Sequence, residues 1–171
     1  LDNMSSEGYN AVDGSSETSP VNSHGTRVAG CIGAIGNNST GVSGVNWAVS
    51  IMPIRVSNRS DGWAYYSDMA RGIMWAADHG AQVANLSYLA ANSYTIDSAA
   101  QYLRDKGGLL FVAAGNQGED HTDDWPDYPS FLAVGATTSS DSRASFSNYG
   151  EFIDIVAPGS GIYTTTTNDS Y

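Results

Sequence analysis

The run IDSAAQYLRDKGGLLFVAAGN, Ile96 to Asn116, sets how the rest of the chain is read. Ile96, Ala99, Ala100 and Leu103 recur three and four residues apart, the spacing that lines one face of a helix from Ile96 to Lys106. Gly107-Gly108 stops that helix. Leu109 to Ala114 is then apolar at every position, the pattern of a strand buried on both faces of a parallel sheet.

Reading outward, the same alternation repeats. Upstream, Tyr66 to His79 carries Met69, Ile73, Trp75, Ala76 and Ala77 on a helical spacing and is closed by Gly80. Gln82 to Tyr88 and Ser50 to Val56 read as strands, and His24 to Ile35 as a helix. The small residues Ala29, Gly30, Gly33 and Ala34 suit close approach of a neighbour, and two glycines weaken an isolated helix by about 1 kcal/mol each, so burial is expected there. Residues 1–23 are polar and without period, a surface loop, and Gly36 to Gly44 is rich in turn residues. Downstream, Phe131 to Ala136 and Phe152 to Val156 read as two more strands. Strands alternating with helices specify an α/β fold, a mainly parallel sheet with helices on both faces in three layers. Ligands in such sheets bind beyond the carboxyl ends of the strands, which places the segments after Val56, Tyr88 and Ala114 near any active site. No internal repeat or linker divides the chain, so a single domain, or part of one, is expected.

Lys and Arg number 7 against 18 Asp and Glu, a formal charge of −11. That surface repels phosphate backbones and anionic lipid, which argues against nucleic-acid and membrane partners. The single cysteine, Cys31, has no internal disulfide partner and reads as a buried packing residue. No apolar stretch is long enough to span a bilayer.

Three segments then fall in one order. Ser23-His24-Gly25-Thr26-Arg27-Val28-Ala29-Gly30 is similar to the histidine motif of the subtilases, the subtilisin-like serine proteases. Ala113-Ala114-Gly115-Asn116 is similar to the segment that presents their oxyanion asparagine. Arg143-Ala144-Ser145-Phe146-Ser147, Gly150 and Ala157-Pro158-Gly159 resemble the stretch before their nucleophile motif. The resemblance covers nearly all of residues 20–171 and implies a subtilisin-like fold and a serine endopeptidase acting through an acyl-enzyme.

The chemistry fits the residue types. A serine hydroxyl needs a base to take its proton, and imidazole suits that near neutral pH; the resemblance makes His24 that base. A side-chain amide can donate to the oxyanion of the tetrahedral intermediate, the role the resemblance gives Asn116. His79 and His121 have no such context and read as structural. Asn85-Leu86-Ser87 resembles the segment that pairs with substrate as an added strand. Ser87, Tyr88 and Leu89 therefore form one expected wall of the pocket for the side chain before the cleaved bond, and Ala113, Ala114 and Gly115 another. Leu89 departs from the family pattern, where many members have glycine. The loop Gly36 to Val42 resembles a calcium loop, with Asn38 and the carbonyls of Thr40 and Val42 as candidate ligands; its sequence is equally a good plain turn. The chemistry itself needs no cofactor. Glu119, Asp120, Asp123 and Asp124 read as a solvated acidic loop.

Two members of the triad are not in these 171 residues. No D-T-G or D-S-G precedes His24, and Asp13-Gly14-Ser15 is set aside because no strand is expected before it. G-T-S-M-A is absent as well. Leu1-Asp2-Asn3-Met4 resembles the segment after the aspartate motif, and Tyr163 to Tyr171 the approach to the serine. The chain is therefore expected to be an internal fragment, residues 1–171, of a subtilisin-like catalytic domain. The fragment alone is expected to be inactive. Its parent is expected to be monomeric, extracellular and to act on polypeptides. The alternative is a non-catalytic subtilase-like peptide-binding domain. A dinucleotide-binding domain fails for want of G-x-G-x-x-G after a strand, and an α/β-hydrolase for want of G-x-S-x-G.

Overall fold

The computed structural model describes residue 1 and residues 3–167. The chain forms two compact units, Leu1–Gly72 with Tyr163–Tyr171, and Ile73–Ile162.

In the first unit, β1 (Tyr9–Asn10) pairs in parallel with β2 (Ile54–Arg55), and α1 spans His24–Gly33. The expected surface loop of residues 1–23 thus contains a strand. It escapes a periodicity reading because it is two residues long and half polar. Asn10 is nonetheless buried: its Oδ1 accepts from Val12 N–H, and its Nδ2 donates to Asp13 Oδ2 and Asn58 Oδ1. A strand therefore does precede Asp13, contrary to the expectation. The Asp13 carboxylate, however, is engaged in the turn, accepting from Ser15 N–H, Asn10 and Asn58.

Helix α1 stops two residues short of the expected end, and only Gly30 and Gly33 are buried along it. Cys31 is half-buried rather than enclosed. The two buried glycines explain the small-residue run. A Cβ on Gly30 would run into the hydroxyls of Thr164 and Thr165, and one on Gly33 would meet Ile51 at 3.0 Å. Thr164 Oγ1 donates to Arg27 O (2.6 Å) and Thr165 Oγ1 to Thr26 O (2.9 Å). The neighbours that α1 accepts are thus Thr164–Thr165 at Gly30 and the segment of Val49 and Ile51 at Gly33.

Helix α2 (Tyr66–Asp78) is followed by a turn at Gly80, whose φ of +78° suits glycine. In the second unit a parallel sheet is ordered β3 (Val83–Leu86), β4 (Leu109–Ala113), β5 (Phe131–Thr137), β6 (Ile155–Pro158), and α3 (Tyr94–Asp105) packs on β4 and β5. This is the expected α/β arrangement. The register sets Leu110 beside Phe131 and Val112 beside Ala133, on one buried face. Ile96, Ala99, Ala100 and Leu103 of α3 are all buried, and each fully enclosed Ile or Leu stabilises by about 1.5–3 kcal/mol.

Strand β6 starts three residues later than expected. Phe152 is buried instead in an aromatic cluster, 4.9 Å from the Trp125 ring. Gly150, at φ +145°, bends the chain, and Asp154 Oδ2 accepts from Ala133 N–H (2.7 Å) before pairing begins.

Candidate functional site

His24 is the first residue of α1 and is exposed. Ser23 at the N-cap makes no side-chain cap bond. Asn22 takes that part: its Oδ1 accepts from His24 N–H (2.9 Å), and its Nδ2 donates to Ser60 O (2.8 Å), fixing the turn that presents the imidazole. A Cβ on Gly25 would meet nothing within 4 Å, so open space faces the residue after His24.

In the second unit, β3 and β4 run side by side with Leu86 opposite Val112. Their carboxyl ends therefore release Ser87–Leu89 and Ala114–Asn116 at the same edge of the sheet. All six expected wall residues and Asn116 lie in this region. Asn85 Nδ2 donates to Ser87 Oγ (2.9 Å). Burial raises the Tyr88 phenol above its ordinary value. Leu89 reaches across: its Cδ1 occupies the place where a Cβ on Gly115 would sit. The two expected walls are thus in contact through Leu89.

Asn116 is exposed on a turn built around glycine, with Gly115 at φ +100° and Gly118 at +74°. Residues 146–149 clamp that turn. Gly118 N–H donates to Phe146 O (2.7 Å), and Tyr149 N–H to Glu119 O (3.0 Å). Asn148 and Gln117 complete the clamp. Neither was marked by sequence: Asn148 lies between two recognised motif residues, and no periodicity distinguishes it.

The other two histidines are held by local contacts. His121 is buried, stacks on Trp125 with centroids 3.9 Å apart, and Nδ1 lies 3.0 Å from Asp124 Oδ1. His79 stacks on Trp75 at 3.6 Å. In the loop expected to bind calcium, Asn38 Oδ1 accepts from Thr40 N–H (3.1 Å), and Asn37, Ser39 and Gly41 all have positive φ. Among the described residues, no group of three or more His, Cys, Asp or Glu is placed to hold a metal ion. No helix among them is long and apolar enough to cross a membrane. Asp2 and residues 168–171, part of the two terminal segments compared with the triad motifs, lie outside the described residues.

The model of the subtilase family matches residues 2–171. The chain is 40% identical over 172 residues to the thermophilic serine proteinase of Bacillus sp. (strain AK1), covering 100% of this chain and 43% of that protein. It is 39% identical to thermitase of Thermoactinomyces vulgaris, covering 96% of this chain and 59% of that protein. Among solved structures, a cold-adapted subtilisin-like serine proteinase superposes with a TM-score of 0.79 at 36% identity, over 96% of this chain and 58% of that one. The chain thus spans about half the length of the proteins it matches. Motifs, sheet order and these likenesses agree: the chain belongs to the subtilase family.

Proposed function

We propose that the protein containing this chain is a serine endopeptidase that cleaves polypeptides through an acyl-enzyme. His24 acts as general base when the serine attacks and as general acid when the amine leaves. Asn116 donates to the oxyanion of the tetrahedral intermediate. The triad's aspartate and serine come from sequence outside residues 1–171. Ser87–Leu89 and Ala113–Gly115 form the walls of the pocket for the side chain before the cut, with the substrate strand adding beside β3.

The observation that carries the reading is the docking of Thr164–Thr165 on α1. The segment that resembles the approach to the nucleophile is hydrogen-bonded to the helix that begins with His24. The relatives named as serine proteinases support the same activity, and family resemblance supports an extracellular monomer. A calcium ion held by Asn38 and the Thr40 and Val42 carbonyls is proposed as a stabilising ligand only. Those three oxygens fall short of the six to eight that calcium takes, and none enters the chemistry.

The test is covalent labelling of the full-length protein by a phosphonofluoridate, followed by mapping of the labelled residue. A labelled serine in a G-T-S motif after residue 171, lost in His24→Ala, is the expected result. An unlabelled, folded full-length protein would refute catalysis and leave a peptide-binding groove as the reading.

A further inference from the structure

Asn148 is 1% exposed, and its side chain and backbone N–H are committed to one turn. Its Oδ1 accepts from the backbone N–H groups of Gln117 (3.0 Å) and Glu119 (3.1 Å). Its Nδ2 donates to Gln117 Oε1 (2.9 Å), and its own N–H to Gly115 O (3.3 Å). Gln117 Oε1 in turn accepts from Asn116 N–H (3.1 Å). Residues 115, 116, 117 and 119 are therefore all tied to Asn148, directly or through Gln117. The fit is also steric, since a Cβ on Gly115 would lie 2.5 Å from Asn148 Nδ2.

This pattern needs an amide. Two backbone donors require an acceptor, and Gln117 Oε1 requires a donor, both from one buried side chain. Serine offers one atom for both tasks. Aspartate would set a carboxylate against Gln117 Oε1.

We infer that Asn148 is a positioning residue for the oxyanion site, holding the backbone on both sides of Asn116 so that the exposed Asn116 side chain is presented in one place. The inference rests on the proposed role of Asn116. Asn148 touches no reacting atom and acts through Asn116. An oxyanion donor works within about 2.7–3.1 Å of the developing charge, and a misplacement of about 1 Å costs on the order of 100-fold in rate.

The experiment is a double-mutant cycle in the full-length protein: Asn148→Ala, Asn116→Leu and the pair. Each is read as kcat and KM on a peptide amide, with active sites counted by phosphonofluoridate titration. Asn148→Ala is expected to lower kcat about 10- to 100-fold with KM within about threefold. In the Asn116→Leu background the same change is expected to cost less than about threefold, because the residue it acts through is gone. Gln117 is exposed, so its variants keep the question answerable if Asn148→Ala does not fold. Gln117→Met, which removes the acceptor, is expected to lower kcat several-fold, and Gln117→Glu, which keeps one, to recover most of that loss. Equal losses from Asn148→Ala in both backgrounds overturn the inference, as do equal kcat values for Gln117→Met and Gln117→Glu. A wild-type protein that neither labels nor hydrolyses overturns the protease reading itself; a labelled wild type with an additive cycle overturns only the role of Asn148.

Discussion

Leu89→Gly tests whether the contact between the two walls sets the size of the pocket. Leu89 is 44% exposed, and its Cδ1 rests on Gly115. Deleting the side chain removes four carbons from between Ser87–Leu89 and Ala113–Gly115. Two effects follow. Full burial of a leucine is worth about 1.5–3 kcal/mol, so a side chain roughly half-buried contributes about half of that. Glycine adds about 0.5–1 kcal/mol of unfolded-chain entropy, for a total stability cost of about 1–2.5 kcal/mol. Selectivity changes by a similar amount. One methylene in an apolar pocket discriminates by about 1–3 kcal/mol, so opening space for a ring should raise the preference for phenylalanine over alanine by about 10- to 100-fold. The assay is kcat/KM in the full-length protein for peptide anilides differing only in the residue before the cut, well below the melting temperature. A phenylalanine-to-alanine ratio within about threefold of the parent's would refute the reasoning, since Leu89 would then occupy no space the substrate needs.

Other expectations follow from single contacts. Leu110→Ala empties a fully buried site in β4 and should cost about 2–5 kcal/mol, read from the denaturant midpoint of the full-length protein. Gly30→Ala drives a methyl into the hydroxyls of Thr164 and Thr165, for a loss of about 1–3 kcal/mol by the same measurement; an unchanged midpoint would mean that this segment is not docked on α1. Burial raises the Tyr88 phenol above 10.0, so the unfolded chain ionises first: the stability this contributes is complete below about pH 10 and is lost as pH rises through the folded value. Tyr88→Phe should therefore flatten the fall in stability as pH rises above about 10. Calcium bound at the Asn38 loop should raise the melting temperature over that in chelator, and Asn38→Ala should cancel the rise; equal melting temperatures would reject the ion.

The parts of the fold that were legible in the sequence are those written in local apolar pattern. Leu109–Ala113 and the helix before it follow from spacing, because one strand and one helix face commit enough side chains to burial to set their own period. The failures share a cause in long-range partners. Asn10 looks like loop and is buried, because residue 58 supplies the acceptor that makes burial affordable. Phe152 looks like strand and is not, because Trp125 competes for its ring. Val83 and Leu86 mark a strand whose ends the apolar pattern overshoots by one residue upstream and two downstream.

The candidate site divides in the same way. His24 and Asn116 are legible because each stands in a short contiguous motif, whose neighbours set the backbone that presents it. Asn148 is not legible, although it holds more of the Asn116 turn than any residue adjacent to it. An Asn between Ser147 and Tyr149 is unremarkable in sequence, and its meaning lies in four bonds to residues about thirty positions away. Residues that would perform the chemistry are contiguous with the backbone they need, whereas residues that hold it in place are free to come from anywhere the fold brings near. A motif search therefore finds the reacting groups of such a site first and the groups that determine its precision last, and substitution at the second kind is where loss of rate without loss of binding should be sought.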